Sequence, residues 1–458
     1  MSEISPNLVI AIQNKVVITD MAKLQTKSDN INPYGGLFSI FKTFDKSGVR
    51  NVIDRTLGPR GTLLAFSHGD IFASLLGCYL TGGDCIEDVM DIKPFWDGHG
   101  IRIASSDTIE RALRKLSEDN TNHSSESGKT YKFNVASKMN SLMLKCLKAT
   151  GQLNPGDCID LDFDHQFIPA GKKDAEYSYK NAFGYFPGVA SAGGLIVGIE
   201  NRDGNTNVKF HQKDTLERIF GRLESEARVL VRNFRADCGS FSEDIVTCVM
   251  EHCERFYIRA NNCGSRRTDF MEHEDWTEVE IRNSSDKGTG HIRCGVTSFK
   301  WDSFLSDRNL RLVVQRTKLS DEVAGEESNS LFGTEYVYRC ILTNDWDNSE
   351  KAIIEYYNKR GASERNFDCQ NNDFGWAHLP FSFLKENTVF LIATAILKNF
   401  YLYFLDMLRG RAEGVDCSTR IKRFVRKFVT VPAKWTRSGR MDVLTLYTKR
   451  QIYLSLCG

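Results

Sequence analysis

Three acidic residues, Asp164, Asp237 and Glu364, stand where they could hold divalent metal ions. Asp164 lies on a segment in which acids alternate with apolar residues, Asp237 ends a second apolar segment, and Glu364 lies on a later helical pattern. Carboxylate oxygens are the hard ligands that Mg²⁺ prefers, and a pair of ions can activate an attacking oxygen and stabilise a leaving one in phosphoryl transfer. Spacing alone favours a plainer interpretation as surface or capping carboxylates, because the chain holds 59 acidic residues.

A second group, Tyr357, Arg360 and Glu364, is spaced at i, i+3 and i+7, which places all three on one face of a predicted helix. A guanidinium beside a carboxylate can hold a phosphate through two hydrogen bonds while the acid binds metal. The tyrosine ring could stack on a flipped or hairpinned base. An ordinary helix with an Arg–Glu surface pair would show the same spacing.

Alternating apolar residues predict the strands that would position the acids. In the first of these strands Asp160, Asp162 and Asp164 alternate with apolar residues, so the three carboxylates share one face. The other segments of this predicted α/β core are strands at 185–191, 195–199, 231–236 and 255–259 and helices at 213–230 and 242–253. The acidic strand and the next two strands would form a meander.

Helical and strand-like patterns surround this core. The remaining predicted elements are helices over 37–57, 71–80, 107–116, 135–147 and 348–408, a polar loop or linker over 117–129, and a β insertion over 276–344. Asp107 is the predicted N-cap of its helix. The insertion accounts for the long separation between Asp237 and Glu364. Charged residues such as Lys398 and Asp406 interrupt the apolar end of the last pattern, which favours a buried core helix over a membrane span.

Composition is typical of a soluble globular protein of several domains. Hydrophobic residues make up 41% and charged residues 26% of the 458 residues, and the net charge is +1. Any DNA contact must therefore come from local basic patches. The thirteen cysteines show no pattern of metal-binding pairs, and the N-terminus shows no secretory signal, which together predict a reduced, cytosolic protein.

One basic patch lies near the C-terminus. Residues 420–450 hold ten basic residues against one acid, and aromatic residues such as Phe424 and Phe428 are interleaved with Arg423, Arg426 and Lys427. Such a segment suits salt-dependent contact with the phosphate backbone of DNA. In the alternative interpretation the aromatic rings pack on the core and the charges are merely solvated.

Several motifs resemble those of DDE transposases of bacterial insertion sequences. Residues 162–166 (DFDHQ) resemble the DxDxT strand that carries the first metal ligand of that family. Residues 179–188 (YKNAFGYFPG) resemble another family segment, and residues 235–239 (RADCG) resemble the motif of the second aspartate. Residues 356–364 (YYNKRGASE) contain the Tyr-x2-Arg-x3-Glu spacing of the Tyr–Arg–Glu–Lys signature of cut-and-paste elements.

The resemblance implies an RNase H-like catalytic core with a β-strand-rich insertion and a mostly helical N-terminal domain. It implies that Asp164, Asp237 and Glu364 are catalytic and hold two Mg²⁺ or Mn²⁺ ions, and that Tyr357 and Arg360 contact DNA. The implied reaction is cleavage at transposon ends followed by attack of the freed 3′-hydroxyl on target DNA, with a hairpinned end as intermediate. The implied partner is double-stranded DNA bound by a homodimer in the bacterial cytoplasm, at the nucleoid, with no membrane.

The same reasoning divides the chain into five regions. They are a mostly helical end-binding region (1–155), the first part of the catalytic core (156–275), the β insertion (276–345), the helical remainder of the core with Glu364 (346–410) and a basic C-terminal region (411–458).

The chain departs from the family pattern at several positions. The final lysine of the signature falls at Asn371, and the threonine of DxDxT is Gln166. Asp162 competes with Asp164 for the role of first ligand because both point the same way. Asp164 is preferred because it is nearer the C-terminal end of the strand and matches the second aspartate of the motif.

Two other functions remain open on the sequence. A metal-dependent nuclease could use the same core to hydrolyse DNA without joining strands. A non-catalytic DNA-binding derivative would be expected to have lost an acid, and all three acids are present.

Overall fold

A computed structural model describes residues 16–18, 23–25, 29–61, 64–261, 263, 266–282, 291–318 and 336–457, without the side chains of 16–18, 23–25 and 362–364. The strands are β1 (Val16–Ile18), β2 (Lys23–Gln25), β3 (Thr121–Ser124), β4 (Thr130–Asn134), β5 (Cys158–His165), β6 (Ile168–Pro169), β7 (Glu176–Tyr177), β8 (Phe183–Tyr185), β9 (Gly188–Ala192), β10 (Leu195–Arg202), β11 (Leu230–Ala236), β12 (Cys253–Ala260), β13 (Thr277–Arg282), β14 (His291–Lys300), β15 (Arg311–Lys318), β16 (Tyr336–Thr343), β17 (Ala433–Ser438) and β18 (Met441–Leu446). The helices are α1 (Leu37–Lys46), α2 (Val49–Leu57), α3 (His68–Leu80), α4 (Val89–Ile92), α5 (Ser106–Arg114), α6 (Ser137–Ala149), α7 (Gln212–Arg222), α8 (Glu243–His252), α9 (Arg267–Glu272), α10 (Glu350–Asn358), α11 (Ala362–Asp373), α12 (Leu384–Leu408), α13 (Ile421–Phe424) and α14 (Ile452–Cys457).

An eleven-stranded mixed sheet is the centre of the fold. Its strand order is β13-β14-β15-β16-β12-β11-β5-β9-β10-β4-β3. Strand β11 pairs in parallel with both β5 and β12, whereas β5, β9 and β10 pair antiparallel. The predicted meander is therefore confirmed. The strands predicted over 276–344 are also confirmed, since the described residues there form four antiparallel strands that extend the same sheet through the pairing of β16 with β12.

The central strands bury alternate residues in two different layers. On one face, Leu161 and Phe163 of β5 and Phe234 of β11 pack with apolar residues of α7 and α8. On the other face, Tyr257 of β12 packs with the insertion strands and with Tyr357 of α10. The period-two pattern of β5 follows from these two environments, since Leu161 and Phe163 face the apolar layer and the three acids face the other side.

A layer of helices covers the β10 end of the sheet. Helix α12 packs on α1, α3, α5, α6, α11 and strand β10. Among the described residues it is the one helix long and apolar enough to cross a membrane, with a mean hydropathy of 1.6, yet 89% of its most apolar window is buried inside the protein. The predicted buried core helix is confirmed.

Three predictions of local structure were wrong. The predicted helix over 37–57 is two helices, because Gly48 adopts the left-handed region with φ of +80°. Helix α5 has Ser105 as its N-cap instead of Asp107. The polar stretch 117–129 contains strand β3, whose mostly exposed residues carry no apolar alternation. The helical pattern predicted over 348–408 is confirmed, and it consists of the three helices α10, α11 and α12.

Two buried asparagines join the helical layer to the sheet. Strand β4 pairs with only the last two residues of β10. Farther along the same edge, the side-chain amide of Asn399 on α12 bonds to both N and O of Ile196, at 3.0 and 2.7 Å. Asn140 on α6 bonds to both N and O of Ile199 in the same way, at 3.0 and 2.8 Å. The amides replace the missing strand, since buried backbone groups must be paired.

We expect Asn399→Leu to lower the free energy of unfolding by about 1–3 kcal/mol for each backbone group left unpaired. Leucine has a similar size but bonds to neither group of Ile196. Urea denaturation monitored by circular dichroism measures the change. As a control, Asn122→Leu on exposed strand β3 should change stability by less than about 0.5 kcal/mol. Equal stability of the Asn399 variant and the wild type would show that this edge needs no side-chain partner.

Candidate active site

Parallel pairing brings Asp164 and Asp237 to the same edge of the sheet. In the register of β5 and β11, Asp162 lies opposite Arg235 and Phe163 lies opposite Ala236. The next residues along the two strands are Asp164 and Asp237. Because side chains alternate between faces, these two acids share the face that bears Asp162 and Arg235. The sequence-based expectation that they lie together agrees with this placement.

Arg360 is the cation beside these two acids. Its Nη1 donates to Oδ2 of Asp164 at 2.8 Å, while the backbone N of His165 donates to the other oxygen at 2.8 Å. Asp237 accepts from the backbone N of Gly239 at 2.9 Å. Burial acts to lower the pKa of Arg360, but Tyr357, Asp164 and Asp237 together raise it above its usual value, so the guanidinium stays protonated.

Burial has the largest effect on the protonation of the Asp164 carboxylate. Burial raises its pKa to about 6; Arg360 acts against this rise and Asp237 adds to it. Only 17% of the side chain is exposed. Asp164 and Asp237 thus offer hard oxygen ligands in a partly buried position, where an added positive charge would favour the ionised carboxylates. Such a position suits a divalent cation.

The three acids of β5 have three different partners. Asp160 accepts a hydrogen bond from Nδ2 of Asn233 at 2.7 Å. Asp162 forms a buried two-bond ion pair with Arg235, at 2.6 and 2.8 Å. Burial raises the pKa of Asp162, and the bonds from Arg235 act against that rise. The competition between Asp162 and Asp164 is thus reduced, because Arg235 already occupies both oxygens of Asp162.

Tyr357 lies beneath the site with its ring buried. Its side chain is 6% exposed, and its hydroxyl donates to the carbonyl oxygen of Ala236 at 3.2 Å. The Arg360 guanidinium lies 5.9 Å from the centre of the ring. Tyr357 therefore supports Arg360 and the end of β11, and it offers no exposed face to a base in this structure.

Glu364 lies at the start of α11, and its side chain is outside the described residues. The single helix predicted from Tyr357 to Glu364 is interrupted by the 3₁₀ turn Lys359–Gly361, which carries Arg360. A 3₁₀ helix has about three residues per turn. The α-helical spacing from Tyr357 to Glu364 therefore no longer places these residues on one helix face. Within the part of the chain that the structure describes, no three His, Cys, Asp or Glu side chains could together hold a metal ion.

Two residues next to the site were not recognised from the sequence. Arg202 is completely buried and contacts Nε2 of His165, and it also donates to the carbonyl oxygens of Val208 and Phe210, both at 3.2 Å. Burial lowers the pKa of His165 well below its usual value, so the ring is neutral and can accept from the guanidinium. Arg202 thereby fixes the residue after Asp164. It is distant in sequence, and no spacing signals the contact.

Both interpretations of the basic C-terminal segment hold in part, the packed one for its aromatic rings and the exposed one for some of its cations. Phe424 and Phe428 are buried in the helical core, whereas Arg423, Arg426 and Lys427 are exposed. Other cations of the segment are neutralised, since Arg420 pairs with Asp368 and Asp373 and Lys434 pairs with Asp29. The exposed Arg423, Arg426 and Lys427 remain available to bind a polyanion.

Comparison with known families identifies the family to which the chain belongs. The family described as transposase DDE domain group 1 matches residues 19–441. The chain belongs to the DDE transposases. No curated protein matches it. This transposase therefore has a role in DNA transposition, and its family implies DNA as the partner.

DDE transposases normally use divalent metal ions. The fit of this transposase to such ions rests on Asp164 and Asp237, whose oxygens are hard ligands on one partly buried face. Burial raises the pKa of Asp164 although Arg360 acts against the rise. Asp164 and Asp237 could therefore supply two of the ligands of a divalent cation.

Proposed function

We propose that this transposase cuts DNA at transposon ends and joins the freed 3′-hydroxyl to target DNA. Asp164, Asp237 and Glu364 are its catalytic and metal-binding residues. The observation that carries the proposal is the position of Asp164 and Asp237 side by side at the ends of parallel strands, with Arg360 at the first acid.

We also propose an RNase H-like core. Strands β10, β9, β5, β11 and β12 lie in that order, with three antiparallel strands followed by two that run parallel to β5. In chain order, Asp164 would come from the first strand of this core, β5, and Asp237 from the end of the fourth, β11. The division into an end-binding region, a core, an insertion and a basic region, with bounds at 155, 275, 345 and 410, is part of the same proposal.

Different residues of the chain have different roles in the proposed reaction. Two Mg²⁺ or Mn²⁺ ions bound to the acids would activate the attacking oxygen and stabilise the leaving oxygen. Arg360 would hold a non-bridging oxygen of the scissile phosphate, because a guanidinium matches phosphate geometry. The Asp162–Arg235 pair keeps β5 in register with β11, so that both acids stay aligned.

The assembly and origin of the protein belong to the same proposal. Spacing in residues 356–364 supports a bacterial insertion-sequence enzyme of the Tyr–Arg–Glu–Lys type, although Asn371 replaces the final lysine. A homodimer would hold two double-stranded ends at once in the cytoplasm. Size-exclusion chromatography with light scattering, run with and without end duplexes, measures the number of chains in the complex.

A strand-transfer assay tests the function. Duplex oligonucleotides are made from the inverted repeats that flank the gene and are incubated with the full chain and Mg²⁺. Products joined to a supercoiled target, abolished by a chelator, support the proposal. Cleavage without joined products would favour the nuclease, and binding without cleavage would favour the non-catalytic derivative.

The exposed cations of the basic segment should set part of the salt dependence of DNA binding. We expect replacement of Arg423, Arg426 and Lys427 with Gln to reduce the slope of log affinity against log salt by up to about three units. Specific and non-specific duplexes should both be bound more weakly, as fluorescence anisotropy would measure.

The control for this change is Lys434→Gln, since Lys434 is paired with Asp29. Its salt slope should equal that of the wild type. An unchanged slope in the triple variant would mean that its charges are only solvated. The N-terminal helices would then be the principal DNA-binding surface.

A further inference from the structure

Three exposed aromatic side chains lie on a small sheet, or on the turn between two of its strands, directly after the strand of Asp164. Strands β6, β8 and β7 form this sheet, directly after β5 in the chain. Tyr177, Tyr179 and Phe183 are 54%, 66% and 55% exposed, and we call them the aromatic platform. The rings of Tyr177 and Phe183 meet edge to face at 5.2 Å. Exposed aromatic rings grouped in this way are available to a partner.

The platform rests on a tightly packed base. The hydroxyl of Tyr185 donates to Asp174 at 2.5 Å, and Asp174 also accepts from the backbone N of Leu384 on α12 at 3.0 Å. A Cβ on Gly184 would lie 2.2 Å from the carbonyl oxygen of Ile168, so only glycine permits this close pairing of β6 and β8. The exposed rings are therefore held by a fixed backbone.

The charges of the platform suit a polyanion. Lys180 is exposed, and its ammonium lies 5.1 Å from the centre of the Tyr179 ring. Lys173 is also exposed, and its ammonium lies 5.9 Å from the ring of Phe383. The nearby acid Glu176 accepts from Nδ2 of Asn205 at 3.2 Å. Aromatic faces beside lysines are the combination that binds unpaired nucleic acid, through stacking of bases and contact with phosphates.

Aromatic contacts connect the platform to the end of β5, on the face of that strand opposite Asp164. The ring of Tyr179 lies 6.1 Å from that of Phe186, and the ring of Phe186 lies 5.8 Å from that of His165, the residue after Asp164. Tyr357 is buried and offers no stacking face. The platform, whose strands follow β5 directly in the chain, supplies exposed rings that Tyr357 does not.

We propose that the aromatic platform binds unpaired bases of the DNA strand beside the cleaved bond, with Tyr179 stacking on a base and Lys173 and Lys180 contacting phosphates. The proposal rests on the proposed function, since it places this strand at the acids. A duplex end that has been opened or left with an overhang would present such bases.

Binding to two matched probes tests the platform. The full-length wild type and the variants Tyr179→Ala and Tyr179→Phe are titrated into labelled end duplexes, one blunt and one with a 3′ overhang that contains 2-aminopurine. We expect Tyr179→Ala to weaken binding of the overhang probe by about 5- to 100-fold and that of the blunt probe by less than about twofold. Tyr179→Phe keeps the ring and should bind like the wild type.

The quenching of 2-aminopurine reports stacking directly. It should occur with the wild type and Tyr179→Phe and should be lost with Tyr179→Ala. Met271→Ala, which removes another exposed apolar side chain (62% exposed), should change neither probe. Thermal melting of each variant shows that it is folded, as expected for a mostly exposed Tyr179.

Two outcomes would overturn the proposal. Equal losses on both probes would mean that the platform contacts duplex DNA, and unchanged binding and quenching would mean that the platform contacts no DNA and serves another partner. In either case, the proposed function is still supported if the wild-type protein cuts and joins end DNA. Overhang binding that depends on Tyr179 without any cleavage would instead support the platform and contradict the proposed function.

Discussion

Replacing Asp164 with Asn is expected to reduce cleavage of end DNA by about a thousandfold or more while end binding persists, because a preorganised charge is lost from the reacting centre. Asparagine keeps the shape of the side chain, and the site already disfavours the charged form, since burial raises the pKa of Asp164 to about 6. The fold should therefore be retained. Asp237→Asn should have the same effect. Single-turnover cleavage and anisotropy measure the two quantities on one preparation.

Asp160→Asn is the matched control, because Asp160 lies on the same strand and face but is bonded to Asn233. It should cleave at a rate near that of the wild type. If Asp164→Ala retained cleavage, the role of first ligand would pass to Asp162. If Asp237→Asn retained cleavage, the paired-acid site itself would be wrong.

The second large effect concerns stability. Asp162→Ala should lower the free energy of unfolding by about 3–5 kcal/mol, because it leaves Arg235 buried without its partner. The side chains of Asp162 and Arg235 are only 9% and 10% exposed. Urea denaturation measures the loss. The double variant Asp162→Leu with Arg235→Met should be more stable than Asp162→Ala, since no unpaired charge remains.

Cleavage separates this structural role from a catalytic one. At a temperature where Asp162→Ala is folded, it should still cut end DNA. A stable Asp162→Ala protein without cleavage would show that Asp162 binds metal and that the ion pair with Arg235 is incidental.

Much of the sheet could be predicted because its strands are buried on defined faces. The alternation in β5 and the apolar stretches of β11 and β12 depend on local sequence, so their bounds were close to those observed. Asp164 and Asp237 could be brought together because parallel strands end at the same edge. Strand β3 was missed because an exposed edge strand needs no apolar alternation.

The partners of the acids could not be predicted from spacing. The pair Asp162–Arg235 depends on the register between two strands far apart in the chain, and the contact of Arg202 with His165 depends on β10. The break at Lys359–Gly361 was also missed, because the helical period continues across it. Only tertiary contacts determine these features.

Helix α10 connects the strands that follow β12 to the segment that carries Arg360. Helix α10 packs on β13, β14 and β15, and Glu350 at its start accepts from Oγ of Ser298 at 2.9 Å and pairs with Arg311. The last residues of this helix lead directly to Arg360. Shortening these strands would therefore remove the surface on which α10 rests, and with it the support of the segment that carries Arg360.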